Sequence, residues 1–465
     1  MNAIGVIHSG GDPIRRIQVT PDDAFFATSG SWGQDFEDQW AVKMNVLTPE
    51  VLAELQPVAD SEPVVVAVID TGLAWNHRDI GVDRLWFNSG EIPTNNIDDD
   101  GNGYVDDIVG WNFFDQSNLP WDTNGHGTLV AGIIGAGQSN DRGIAGINPH
   151  VRLMVLKAMD EAGNGYASQV AEAIVYAANN GAQIINLSVG GEQLTLTEQI
   201  AIDYARSRNV LVVAAAGNEN IELEDYGPGG ADGVLTVAAS DRNNRRQLTS
   251  NWGTAVDLTA PGVDVLGPRA IGTDLLAQAG HDGYTAEAHV VGDDKAYYRA
   301  TGTSFSTAIV SGAASLLLAA NPSLSADELE RKLTQSAMDI DVEGMDQFTG
   351  YGLLDLLAAH ESDAAFYVDA RISDASLVGS TESGYISITG TADADSLSSA
   401  TVWIGAGDTP AQWLEIRTIE SPVVDGMLAE IDLIEFESSP RWTLRLLSRH
   451  ENGREREARY MLNFR

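Results

Sequence analysis

Four almost unbroken apolar runs constrain this chain most: Val64-Val65-Val66-Ala67-Val68-Ile69, Leu153-Met154-Val155-Leu156, Ile184-Ile185-Asn186-Leu187 and Val210-Leu211-Val212-Val213-Ala214. A strand with one wet face alternates polar and apolar residues. A strand covered on both faces does not. Helical spacing fills 168–179 and 195–207, between these runs. Strand, helix and strand in repetition predict an α/β fold, a doubly wound and mostly parallel sheet. Reactive groups in such sheets collect at the carboxyl ends of the strands. Asp70 ends the first run, and Asn218 follows the fourth closely.

The pattern changes after Asp355. Short alternating segments take over, such as Tyr385-Ile386-Ser387-Ile388, Ala400-Thr401-Val402-Trp403-Ile404 and Trp442-Thr443-Leu444-Arg445-Leu446-Leu447. Gly, Asp and Ser turns separate them, which predicts a β-sandwich over 364–465. Residues 1–28 carry few periodic signals and are expected to be an N-terminal extension, leaving 29–360 as the main domain.

Charge excludes some partners. The chain has 67 Asp and Glu against 27 Lys and Arg, a formal net charge of −40. That argues against nucleic acid and anionic membrane surfaces as partners. There is no cysteine, so neither disulfides nor thiol chemistry enter the account. The apolar run from Ala313 to Ala320 falls far short of the ~20 residues of a membrane span. Met1 to Ile14 lack the basic-then-apolar pattern of a signal peptide. Either an export signal has been removed or the protein is cytoplasmic.

Three glycine-marked strings carry chemistry: Val68-Ile69-Asp70-Thr71-Gly72, Asn124-Gly125-His126-Gly127-Thr128 and Gly302-Thr303-Ser304. A serine hydroxyl is a weak nucleophile at neutral pH. It needs an imidazole to take its proton and a carboxylate to hold the imidazole. Ser304 opens a long apolar helical stretch, and a helix N-terminus favours nearby negative charge. The order Asp, His, Ser and the strings themselves resemble the signature motifs of the subtilisin-like serine proteases, the subtilases. The resemblance runs from about Trp32 to about Leu357.

The resemblance implies a serine endopeptidase in which Asp70 orients His126, His126 is general base and then general acid, and Ser304 is the nucleophile. Ala215-Ala216-Gly217-Asn218 matches the segment of the oxyanion hole, with Asn218 as a donor. Ser188, Val189 and Gly190 would pair with substrate backbone, and with Ala215, Ala216 and Gly217 they would wall the first specificity pocket. Small residues there leave room for a sizeable side chain. The floor is expected from Asn220 to Pro228, where Glu222, Glu224 and Asp225 offer negative charge to a basic side chain. His77 is not taken as catalytic, because it sits where these enzymes carry a non-catalytic His. Two departures stand out: Ser306 where the family usually has Ala, and Ala308 where it usually has Pro. The second motivates an alternative, a peptide ligase or macrocyclase on the same scaffold. A vestigial protease serving in binding or adhesion is a third reading. The stretch from Leu266 to Arg299 is expected to be a surface loop near the site. Thr20-Pro21-Asp22-Asp23, ahead of Trp32-Gly33 and Gln39-Trp40, resembles a propeptide junction, which adds the chain's own propeptide as an inhibitor. The resemblance also implies an extracellular, monomeric enzyme acting on protein or peptide substrates.

Asp98-Asp99-Asp100-Gly101-Asn102-Gly103-Tyr104-Val105-Asp106-Asp107 fits the start of a calcium loop. Oxygen donors fall at alternate positions and a glycine at the sharp turn. The twelfth position is Val109 rather than Glu, so the loop is not a full EF-hand. Asp98, Asp100, Asn102, Tyr104, Asp106 and Asp107 are the candidate calcium ligands. A second candidate site combines Asp79 with Asn140 in the loop Gln138 to Gly143.

Overall fold

The computed structural model describes residues 20–463 apart from 59–60, 192, 224, 275–287, 380–383 and 433–440. Seven parallel strands form the central sheet: β1 (Val65–Asp70), β2 (Gly110–Asn112), β3 (Arg152–Lys157), β4 (Ile184–Leu187), β5 (Leu211–Ala215), β6 (Leu235–Ser240) and β7 (Leu258–Pro261). Their order is β2-β3-β1-β4-β5-β6-β7. The four apolar runs are β1, β3, β4 and β5, and both faces of each are covered. Val66 and Val68 of β1 face one core, against the helices His126–Gly135 and Thr303–Ala320. Ala67 and Ile69 face the other, against Ala167–Asn179 and Leu196–Ser207. Burying alternate residues on opposite faces is what removes the polar positions from these strands.

The helix Thr303–Ala320 is long and apolar enough to cross a membrane, but 94% of it is buried inside the protein. It is the central core helix. Leu196–Ser207 opens with a capping box: Thr195 Oγ1 accepts the Glu198 amide at 3.2 Å, and Glu198 accepts the Thr195 amide at 3.0 Å.

The stretch Leu266 to Arg299 is not simply a surface loop. Its described parts contribute to a small antiparallel sheet of β8 (Val265–Pro268), β9 (Val290–Val291) and β10 (Tyr297–Ala300). This sheet packs on the helix His126–Gly135 and buries Tyr297 completely. Residues 275–287 of the stretch lie outside the described residues.

Beyond Glu361 the chain forms two antiparallel sheets. One comprises β11 (Val368–Val378), β12 (Tyr385–Ala394) and β15 (Val423–Asp432). The other comprises β13 (Leu397–Ala406), β14 (Leu414–Ile419), β16 (Arg441–His450) and β17 (Glu455–Asn463). Ile388 and Leu428 from the first share one core with Val402 and Leu444 from the second, as in a sandwich. Met345 and Tyr351 of the preceding region enter that same core. Arg371 pairs with Asp257 at 2.5 Å, and the Met345 amide donates to Glu457 O at 2.8 Å. The β-region is thus bonded to the main body, not merely tethered.

Residues 20–28 also join the body. Phe26 is buried in the main core, Asp23 is fully buried, and the Phe25 amide donates to Gly143 O at 2.7 Å. Residues 1–19 of the expected extension lie outside the described residues.

Candidate active site

Asp70 closes β1, and His126 starts the helix that follows a left-handed Gly125. His126 Nδ1 lies 2.8 Å from Asp70 Oδ1 and 3.0 Å from Oδ2. Burial disfavours a charged imidazole, but the adjacent Asp70 carboxylate outweighs it, and the His126 pKa is raised. The packing here leaves no space for a side chain at Gly127. A β-carbon there would lie 2.3 Å from Gly72 O. Sequence reasoning missed Asp122, which is fully buried between these two segments. It accepts the hydroxyls of Thr71 and Thr128 and the amides of Asn124, Gly125 and Thr128. It also missed Lys157, whose buried Nζ donates to Thr71 O at 2.8 Å and Met159 O at 2.7 Å. A lone Lys ending an apolar strand was the available signal.

Ser304 sits in the first turn of Thr303–Ala320, with the His126 ring 5.6 Å from that of its neighbour Phe305. Its hydroxyl donates to Ser188 O at 3.2 Å. The Ser188 hydroxyl in turn donates to Ser304 O at 2.8 Å. Asn186, an amide inside an apolar strand, extends this buried chain. It donates to Ser188 Oγ and accepts the Ser311 hydroxyl, both at 2.9 Å. Asn218 Oδ1 accepts the Thr303 amide at 2.9 Å, which fixes the carboxamide and leaves its NH2 available. Gly217 N donates to Thr303 Oγ1 at 3.0 Å. The two departures are absorbed by packing. Ser306 Oγ donates to Ala260 O at 2.9 Å, and Ala308 is fully buried in the core.

Ser188, Val189 and Gly190 lie on one side of the site, and Ala215, Ala216 and Gly217 on the other. The expected room between them is taken. Tyr226, from the stretch expected to form the floor, lies between Gly190 and Gly217. Of the acids in that stretch, Glu222 and Asp225 are exposed. Glu224 lies outside the described residues.

The acidic loop gathers differently from its linear pattern. Asp100, Asp107 and Glu91 bring ligand oxygens within 4.8 Å of one another. Asn102 donates to Asp100 at 3.2 Å and to Asp107 at 3.0 Å. Asp98 instead accepts the amides of Gly101, Asn102 and Gly103, and Asp106 those of Asn95 and Asn96. The Tyr104 ring packs edge-on against Trp111, Phe113 and Tyr176. Glu91 was missed because it lies in a separate segment before the motif. At the second location, Asp79 Oδ2 accepts from Tyr297 and Ile144, while its buried Oδ1 has no partner among the described residues. Asp23 Oδ2 accepts the Ser139 amide at 2.8 Å, and its buried Oδ1 is likewise unpartnered. Asn140 is exposed on the same loop.

The profile of the Subtilase family matches residues 61–352. The thermophilic serine proteinase of Bacillus sp. (strain AK1) is 39% identical over 201 residues, 43% of this chain and 44% of that protein. The cell wall-associated protease of Bacillus subtilis (strain 168) is 36% identical over 282 residues, 61% of this chain and 26% of that protein. This chain therefore spans less than half the length of either relative. Among solved structures, a protease from Pseudoalteromonas arctica PAMC 21717 is similar with a TM-score of 0.55 at 26% identity, over 74% of this chain and 99% of that one. The profile ends at Gly352, ahead of the β-sandwich, and covers more than half of the sequence. The chain belongs to the subtilase family.

Proposed function

We propose that this chain is a serine endopeptidase that hydrolyses peptide bonds of proteins through Asp70, His126 and Ser304. The observation that carries the reading is the Asp70–His126 contact, at 2.8 and 3.0 Å, set against the helix turn that bears Ser304. Asp70 accepts the Nδ1 proton, so the Nε2 lone pair is free to act as base. Ser304 Oγ leaves Ser188 O and attacks the scissile carbonyl carbon as its proton passes to Nε2. The carbonyl π pair moves onto oxygen, where the Asn218 NH2 and the Ser304 amide donate to it. Loss of such a donor costs about 2.7–4 kcal/mol, a magnitude that comes from subtilisin, a member of this family. The C–N bond then breaks, and the leaving amine takes the proton from Nε2. Water repeats the sequence on the acyl-Ser304 and frees the acid.

Calcium fits both acidic locations. Three clustered carboxylates repel one another without a cation, and Glu91, Asp100 and Asp107 supply the hard oxygen donors that calcium takes. The unpartnered Asp23 Oδ1 and Asp79 Oδ1 offer charge at the second location, beside Asn140. Bound there, calcium would neutralise charge and tie loops together. Its role is stability, not chemistry. An extracellular setting rich in calcium suits such sites, and a cell wall-associated relative supports it.

The test is labelling with a fluorophosphonate, followed by casein hydrolysis by wild type and Ser304→Ala. Labelling confined to Ser304 and loss of hydrolysis in the variant are expected. Undiminished hydrolysis by pure Ser304→Ala would sink the reading.

A further inference from the structure

The slot that should receive a substrate side chain is filled by the protein itself. A β-carbon on Gly190 would lie 2.5 Å from the Tyr226 hydroxyl, and one on Gly217 would lie 2.5 Å from the same atom. The tip of the ring therefore touches both backbone walls at once. Ser188 O, on the first wall, is 3.2 Å from Ser304 Oγ, and Gly217 N, on the second, is bonded to Thr303. The space between the walls thus opens beside the nucleophile.

Tyr226 is held there firmly. It is 4% exposed and packs on Ala216, Leu223, Ala238 and Val256. Burial, and then the neighbouring Glu219 carboxylate, raise the pKa of its hydroxyl, which stays neutral. Glu219 Oε2 is itself fixed by the Asn218 amide at 2.8 Å and by Asn251 Nδ2 at 2.9 Å. Gly191 and Gly227 exchange amide bonds of 2.8 and 3.0 Å, so the segment carrying Tyr226 cannot swing away alone. Glu219 Oε2 thus already accepts from two donors of the protein itself.

We infer that Tyr226 is a specificity-determining residue: it closes the first side-chain pocket, so the enzyme cleaves after small uncharged residues such as Gly, Ala and Ser. This rests on the peptidase reading above. A ring of Tyr size between the walls excludes Phe, Leu and Lys sterically. Even one methylene of misfit in a pocket costs tenfold or more in discrimination.

The experiment compares kcat/KM on succinyl-Ala-Ala-Pro-X-p-nitroanilides, with X as Ala, Phe, Leu or Lys, after confirming Ser304 labelling by a fluorophosphonate. Wild type is expected to favour Ala over Phe by at least about tenfold. Tyr226→Gly should raise Phe relative to Ala by at least the same factor, whereas Tyr226→Phe keeps the ring and should keep the preference for Ala. If Tyr226→Gly does not fold, the wild-type ranking alone decides. A labelled wild type that cleaves after Phe or Leu as readily as after Ala overturns the inference and leaves the peptidase reading standing. Failure to label overturns the peptidase reading and the inference with it.

Discussion

Asp122 accepts the Thr71 hydroxyl at 2.9 Å. Thr71 follows Asp70 in the chain, and its oxygen also accepts the Gly127 amide at 2.9 Å. The other Asp122 oxygen holds the Thr128 amide at 2.9 Å. One buried carboxylate thereby sets the end of β1 in register with the helix that presents His126. The carboxamide of Asp122→Asn cannot accept at both positions, so a buried donor at Thr128 or Thr71 loses its acceptor. That costs about 1–3 kcal/mol. Melting should shift down accordingly, and kcat should fall more than KM rises. Unchanged melting and kcat would remove Asp122 from this role.

The raised His126 pKa fixes the direction of the pH profile. Asp70 holds the proton on the imidazole, so its midpoint lies above the ordinary 6.5. The base must be neutral, and kcat/KM should therefore fall as pH drops through a midpoint above 6.5. The stability term has the opposite sense. A raised folded pKa stabilises at pH below the unfolded value, and that contribution is lost as pH rises through the folded one. Asp70→Asn should lower both the rate and the midpoint. An acid limb below 6.5 in wild type would contradict the Asp70–His126 coupling.

Calcium should raise the melting temperature. A cation that binds only the folded state stabilises by about 2.7 kcal/mol at a hundredfold excess over its dissociation constant. Chelator should lower melting in wild type. Asp100→Asn and Asp79→Asn should each remove part of that response, because they belong to separate clusters. Identical wild-type melting in chelator and in millimolar calcium would exclude both sites.

The β-sandwich should contribute stability without being needed for chemistry. A chain ending at Asp363 loses the Arg371–Asp257 pair and uncovers Met345 and Tyr351. With calcium present it should still hydrolyse small peptides, at a melting temperature lower by about 2–4 °C for each kcal/mol lost. Failure to fold would make the sandwich an integral part of the domain.

Self-processing should stop short of Pro21. A cut after Gly30 would strip Phe26 from the core and Asp23 from Ser139. N-terminal sequencing of wild type beside Ser304→Ala is the check. A mature wild-type chain starting after Asp23 would show that these contacts are dispensable.

The sequence by itself determined the parallel sheet, because strands buried on both faces lose their polar positions, as β1 and β3 did. It also carries the Asp70, His126 and Ser304 strings, whose glycine settings are local, and it determined the change to alternating strands after Asp355. Tertiary structure decided what depends on contact between distant segments. Glu91 joins Asp100 and Asp107 from outside the motif, while Asp98 and Asp106 turn to nearby backbone amides. Asp122 bridges two segments that the motifs treat separately. Tyr226 fills a slot whose walls, read alone as glycine and alanine, looked open. A linear pattern records which groups a chain carries. Which partner each lone pair or ring meets is set by packing, where most buried polar groups find a partner and the space between backbones is taken by whichever side chain reaches it.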